Sequence, residues 1–235
     1  MVLIGGQAVL FWQRQLGTGD DPDGIVETSG DIDFAVADRE VVEHCAELLG
    51  GRAQFADPFD VSPNFALILF TDEHGHRRQL DVIAAPLGLR LDDVRLTAQP
   101  IAAPGGEDDE DLVLYVLHPE RMLEGRVATV AVLRADAIAL AQLRSAIRSC
   151  RAHLAWILDN GPEDERVRIV LRQHKRLFQL ARSLNGREVW AEHGIDVLDA
   201  VLTDHPALPA AFLQQDLPRQ RAQIASMRSK ISSSG

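Results

Sequence analysis

The sequence predicts an α+β protein: a mixed β-sheet domain with flanking helices over residues 1–111, then an all-α domain over residues 112–235. Three observations carry this. Asp31-Ile32-Asp33-Phe34 opens a run in which Ile32, Phe34 and Val36 alternate with period two, as in a half-buried strand. Later, Leu140, Leu143, Ile147, Cys150, Leu154 and Ile157 recur at spacings of three and four, as on one face of a helix. Charge divides near the same place. Residues 1–116 hold 7 Lys+Arg and 22 Asp+Glu, whereas residues 117–235 hold 17 and 13, so the net −11 is −15 in the first part and +4 in the second. An acidic part suits cations and a basic part suits phosphates, so the two domains are expected to meet different partners.

At 235 residues and 46% hydrophobic content, the chain has ordinary globular composition. No apolar run approaches the ~18 residues of a membrane span, so no membrane partner is expected. No basic region precedes Val2-Leu3-Ile4, and the apolar stretch stops at Gly5-Gly6, which argues against a signal peptide. The two cysteines, Cys45 and Cys150, each sit in an apolar helical pattern and read as reduced core residues. A cytoplasmic location follows as the expectation.

The elements read in order as follows. Val2-Leu3-Ile4 is a short strand, Gly5-Gly6 breaks it, and Gln7–Gln15 is a helix with Ala8, Val9, Phe11, Trp12 and Leu16 apolar. Glycines between strand and helix form a tight turn, and they also let a phosphate approach the N–H groups at the helix start. Gly17–Gly30 is a polar loop. Its acids do not fit a calcium loop, because Gly19 and Gly30 fall where carboxylates are required. Within it, the Ser29 hydroxyl is placed either to meet a phosphate or to bond backbone. Asp31–Ala37 is the central strand; Asp38 caps a helix over Arg39–Leu49, which Gly50-Gly51 ends. Arg52–Ala56 is a weak strand. Phe65–Thr71 and Arg77–Ala84 form a hairpin around the turn at 72–76. The Pro- and Gly-rich stretch 85–111 suggests edge strands around Val94–Ile101, and Leu112–Leu117 is a last strand. His118-Pro119-Glu120 then opens a helical half, with helices near 119–134, 137–158 and 163–184 and shorter ones over 187–230.

The acids carry the chemistry. On a strand, Asp31 and Asp33 share one face roughly 7 Å apart, where they repel unless a cation lies between them. Asp81 stands mid-strand among Leu80, Val82 and Ile83, a costly place for a carboxylate unless it is paired or metal-bound. Three carboxylates suit Mg2+, with Mn2+ as the alternative ion.

A strand, Gly-Gly, a helix, an Asp-x-Asp strand and then a single-Asp strand, in this order, resemble the nucleotidyltransferase superfamily that includes DNA polymerase beta. The resemblance covers roughly the first hundred residues. His118-Pro-Glu-Arg-Met-Leu-Glu-Gly-Arg126 further resembles the helix after the catalytic domain in AbiEii/AbiGii-type and minimal nucleotidyltransferases. That family often has Lys where Arg126 stands, and Arg keeps the charge but changes the geometry.

The resemblance implies a metal-dependent transfer of NMP from an NTP to an acceptor hydroxyl with release of pyrophosphate. Asp31, Asp33 and Asp81 would be catalytic and metal-binding, and Gly5, Gly6, Ser29 and Arg126 nucleotide-binding. The acceptor stays open among a small molecule, a tRNA end and a protein. A non-catalytic nucleotide-sensing or interaction module on the same fold, with an antitoxin partner or as a homo-oligomer, is the competing reading. A two-metal nuclease is a third, but the sequence has no His-rich metal set to support it. Finally, Arg144, Arg148 and Arg151 lie at i, i+4 and i+7, and Arg168, Arg172, Lys175 and Arg182 form a similar stripe. Such stripes hold a triphosphate or a phosphate-bearing acceptor, pair with the acidic domain, or face water.

Overall fold

The computed structural model describes residues 1–18, 32–57, 59, 64–103 and 112–232. It is an α+β chain with a seven-stranded mixed sheet and eight α-helices among those residues. The chain divides into two compact units. One holds the sheet and ends at Gly125; the other comprises Leu16–Thr18 and everything from Arg126 onward.

In the first unit, β1 (Val2–Leu3) leads directly into α1 (Gly5–Gln15). β2 (Ile32–Ala35) precedes α2 (Arg39–Leu48). β3 (Arg52–Phe55), β4 (Asn64–Thr71) and β5 (Arg77–Ile83) follow. Then come α3 (Leu91–Thr97), β6 (Gln99–Ala103), β7 (Leu112–Val116) and α4 (Pro119–Val132), whose last turns belong to the second unit. The strand order is β3-β4-β5-β2-β1-β7-β6. β3, β4 and β5 form an antiparallel meander, β5 pairs parallel with β2, and β1 pairs antiparallel with β2 but parallel with β7. This last pairing keeps residues 112–116 with the sheet, and the first unit runs past residue 111 to Gly125.

Local chemistry explains the elements. The Asp38 carboxylate accepts from the N–H groups of Glu40 and Val41 and so starts α2. Gly50, at φ +61°, stops it in the left-handed conformation that glycine adopts without strain. One sheet face is apolar: Ala66, Ile68, Leu80 and Val82 pack with Val42 and Ala46 of α2, and Phe34, Phe55 and Phe70 pad this core. The expected edge strands around Val94–Ile101 are corrected. Residues 91–97 are α3, with Asp92 and Asp93 in its first turn, where carboxylates favour a helix N-terminus, and with Val94 fully buried. Only then does β6 pair with β7.

The second unit is helical. α5 (Ala137–Asn160) starts at Asp136, whose carboxylate accepts from the Ala139 N–H. α6 (Arg166–Arg182) and α7 (Leu184–His193) follow, with Ser183 capping α7 by accepting from the Gly186 N–H. A 3-10 turn (Val197–Ala200), a π-helical stretch (Phe212–Asp216) and α8 (Leu217–Ser232) complete it. Cys45 and Cys150 are free thiols, the second of them buried. No helix among the described residues is long and apolar enough to cross a membrane.

Candidate functional site

The site is built by the parallel pairing of β2 with β5. In that ladder Asp33 is the direct partner of Asp81. Direct partners project from the same face of a sheet, with strands about 4.8 Å apart. The face is the one opposite the apolar core: Leu80, Val82 and Phe34 point to the core, so Asp81 and Asp33 point away from it. Both acids are half-buried. Asp81 accepts a hydrogen bond from Gln79 Nε2 at 2.5 Å, and it forms no ion pair among the described residues.

Gly5 closes the other side. The Ile4 N–H donates to the Asp33 carbonyl at 3.0 Å, which carries the chain from β1 across β2 and into α1. Gly5 turns there with φ +68°. A Cβ on Gly5 would stand 1.9 Å from Asp33 Oδ2 and 2.7 Å from its Cγ. The carboxylate therefore occupies the space that any other residue's side chain would fill. The first helical bond of α1 runs from the Ala8 N–H to the Ile4 carbonyl, which leaves the N–H groups of Gly5 and Gly6 outside the helical ladder. A helix start, a glycine turn and a carboxylate pair thus meet at one spot.

The structure brings Gly5, Asp33 and Asp81 together. Gly6 follows Gly5 in the first turn of α1. Asp31 and Ser29 lie outside the described residues. The remaining expected contacts belong to the helical unit. Arg126 donates to Gln142 Oε1 at 2.7 Å. Arg144 is exposed and Arg148 half-buried, donating to Ser145 Oγ at 3.1 Å. Arg151 is engaged within its own unit: its guanidinium donates to the Val201 carbonyl and to the Asp204 carboxylate, each at 2.7 Å, and so ties α5 to the end of the 3-10 turn. The second stripe is likewise partly engaged within its own unit, Arg168 with Glu165 and Arg182 with Gln220.

Sequence reading missed Gln79, Arg77 and Arg52. Arg77, Gln79 and Asp81 alternate along one strand, so the period of two places the first two on the carboxylate face. Arg52 reaches that face only through pairing, since Arg52 opposes Leu69 and Leu69 opposes Gln79. Neither Arg52 nor Arg77 forms an ion pair among the described residues.

Oxygen donors side by side on adjacent strands, with an amide as the described partner of Asp81, fit a small hard cation. Asp33 and Asp81 would hold it, with Asp31 as the expected third ligand. Comparison with family models and with curated proteins finds no match for this chain.

Proposed function

We propose that this protein is a Mg2+-dependent nucleotidyltransferase that moves an NMP from an NTP to an acceptor hydroxyl and releases pyrophosphate. The single observation that supports this reading most is the register of Asp33 with Asp81 beside Gly5, where the Asp33 carboxylate fills the place of a Cβ. Two adjacent carboxylates repel, and a protein keeps such a pair where a divalent cation pays back the repulsion. When bound, the ion would neutralise phosphate charge and lower the pKa of the attacking hydroxyl.

The chain's own groups would do the rest. The α1 start, with Gly5 and Gly6, offers backbone N–H groups to the triphosphate without side-chain obstruction. Asp81, oriented by Gln79, is placed to accept the acceptor's proton at a carboxylate oxygen. The acceptor oxygen forms a bond to the α-phosphorus, and the bond from that phosphorus to the bridging oxygen breaks. Pyrophosphate leaves with the electron pair. Positioning and charge neutralisation carry most of the rate.

The test is direct. Melting temperature is measured with ATP, CTP, GTP and UTP, each with and without magnesium. Transfer is followed by incubating cell extract with the chain and α-labelled nucleotide. The expected result is magnesium-dependent stabilisation by at least one nucleotide, with label moved to an extract component and stoichiometric pyrophosphate. Hydrolysis of a phosphodiester with no nucleoside triphosphate required would replace this reading with a nuclease.

A further inference from the structure

The carboxylate face extends beyond the carboxylates. Ladder pairing places Arg52, Leu69 and Gln79 in one row across β3, β4 and β5, and Thr71 opposite Arg77 in the next. All share the face of Asp33 and Asp81. At the ends of these strands lies a cleft of about 630 Å³, lined by Gly50, Gly51, Arg52, Thr71 and Arg77 among others. The cleft also reaches residues of the opposite face, Phe70 and Arg78, so it wraps the strand ends. Gly51 packs directly on the β4 backbone beside the cleft: a Cβ there would meet the Leu69 carbonyl oxygen at 2.4 Å.

Charge singles out this place. Residues 1–116 carry 7 basic residues against 22 acidic ones. Arg39 pairs with Glu43, Arg78 with Asp72, and Arg90 lies near Asp92. Arg14, Arg52, Arg77 and Arg95, all exposed, form no ion pair among the described residues, and of these Arg52 and Arg77 line the same cleft. Arg77 stands four residues from Asp81, about 13 Å along the strand. Arg52 lies two strands from β5, about 10 Å across the sheet. These spans separate the cleft from the carboxylate pair by roughly one small molecule.

We propose that this cleft is a second anion site, in which Arg52 and Arg77 bind the phosphomonoester of a small acceptor whose hydroxyl reaches toward Asp81. The anion site stands on the cleft alone; its assignment to the acceptor rests on the nucleotidyltransferase reading. Arginine forks match phosphate oxygens in pairs, and Thr71 supplies a hydroxyl beside them. The volume suits a ligand of nucleotide or sugar-phosphate size. A polyanion is disfavoured, because the surrounding sequence carries a net −15.

Calorimetry on the full chain in EDTA, with inorganic phosphate, ribose 5-phosphate and a ten-residue oligothymidylate as probes, tests this. Phosphate and ribose 5-phosphate should bind, and the double variant Arg52→Gln/Arg77→Gln should lower their affinity at least tenfold while circular dichroism stays unchanged. The Arg52→Lys/Arg77→Lys variant should recover part of the loss, and Asp81→Asn should leave phosphate affinity intact. Failure of the wild-type chain to bind phosphate, or equal binding by the double Gln variant, overturns the anion site. Oligothymidylate binding more tightly than ribose 5-phosphate, through the same arginines, overturns the small acceptor. Titration with ATP and magnesium separates the two readings. If the double Gln variant loses that nucleotide as it loses phosphate, the cleft holds the donor and the acceptor assignment falls. If wild type binds phosphate but no nucleotide, the transferase reading and the acceptor assignment fail together and the anion site stands.

Discussion

The two units treat buried charge in opposite ways. In the helical unit, Asp196 receives a bidentate bond from Arg228, Nη1 to Oδ2 and Nη2 to Oδ1, both at 2.7 Å. The same guanidinium lies over the Trp190 ring at 4.6 Å, and the Leu198 N–H adds a further donor to Asp196. Burial opposes ionisation there, but the Arg228 bond and the Leu198 N–H hold the Asp196 carboxyl below its ordinary range. In the sheet unit, Asp33 and Asp81 stand side by side, and the described partner of Asp81 is an amide. Acids that fasten a fold arrive with their cation built in. Asp81 forms no ion pair among the described residues, so its carboxylate is left open to a partner from outside the fold.

The largest expected effect tests that contrast in activity. Asp33→Asn or Asp81→Asn should lower nucleotide transfer by on the order of a thousandfold, about 4 kcal/mol of transition-state stabilisation. The melting temperature of Asp81→Asn should hold or rise, since the change removes repulsion. Transfer is read as pyrophosphate release and stability by calorimetry. A drop in stability that matches the loss of activity would place these acids with Asp196 as structural groups.

Breaking the structural pair should do the reverse. Arg228→Met leaves Asp196 partly buried without its partner and should cost about 2–3 kcal/mol of stability, less than for a fully buried pair because Asp196 is partly exposed. Nucleotide affinity, measured well below the melting point, should stay near wild type. A variant equally impaired in nucleotide binding would show that the helical unit is coupled to the site.

Gly5→Ala sharpens the comparison from the backbone side. The φ of +68° costs an alanine about 1 kcal/mol, and its Cβ would have to displace the Asp33 carboxylate. Moving the acid should abolish magnesium-dependent nucleotide stabilisation with only a modest fall in melting temperature. Gly17→Ala is the control: it also has positive φ, at +63°, but nothing lies within 4 Å of its Cβ position. It should cost similar stability and leave nucleotide binding unchanged.

These residues also mark how far the sequence could be read. The strand around Asp81 is legible from its apolar neighbours Leu80, Val82 and Ile83, and the Asp38 cap and the Gly50 stop are local chemistry that needs no partner. The register that brings Asp33 opposite Asp81, and Arg52 into the row of Gln79, is a tertiary property of strands far apart in sequence, so no local pattern encodes it. α3 is not legible from periodicity, because seven residues are too few to separate a helical period from a strand. Val94 and Thr97 favour strands, and the Asp92-Asp93 start was the overlooked helix signal. Arg151 was legible as a stripe residue, but its bonds to Val201 and Asp204, some fifty residues away, were not.

The smallest expected effect concerns protons. His153 and His174 lie buried in the helical unit, and burial lowers both to about 4, with the Arg151 charge adding to the effect at His174. His174 Nε2 accepts from the Leu202 N–H at 3.2 Å, so its neutral ring carries the proton on Nδ1, and protonation would break that bond. The folded chain therefore holds both rings neutral where an unfolded chain, with a pKa near 6.5, takes up protons. The stability they contribute is full above about pH 6.5 and is lost as pH falls toward 4. Between pH 7.5 and pH 6 the loss is roughly 0.8 kcal/mol per ring. In the sheet unit His44, His74 and His76 are exposed and His118 is buried ahead of α4, and none of the four lies on β4 or β5. Hydrogen exchange should accordingly quicken in α5 and α6 before β4 and β5 as pH is lowered from 7.5 to 6, once intrinsic exchange rates are corrected for pH. His174→Gln should flatten that dependence in α6, since glutamine does not titrate in this range. Exchange that quickens first in β4 and β5 would move the acid-sensitive element to the sheet unit.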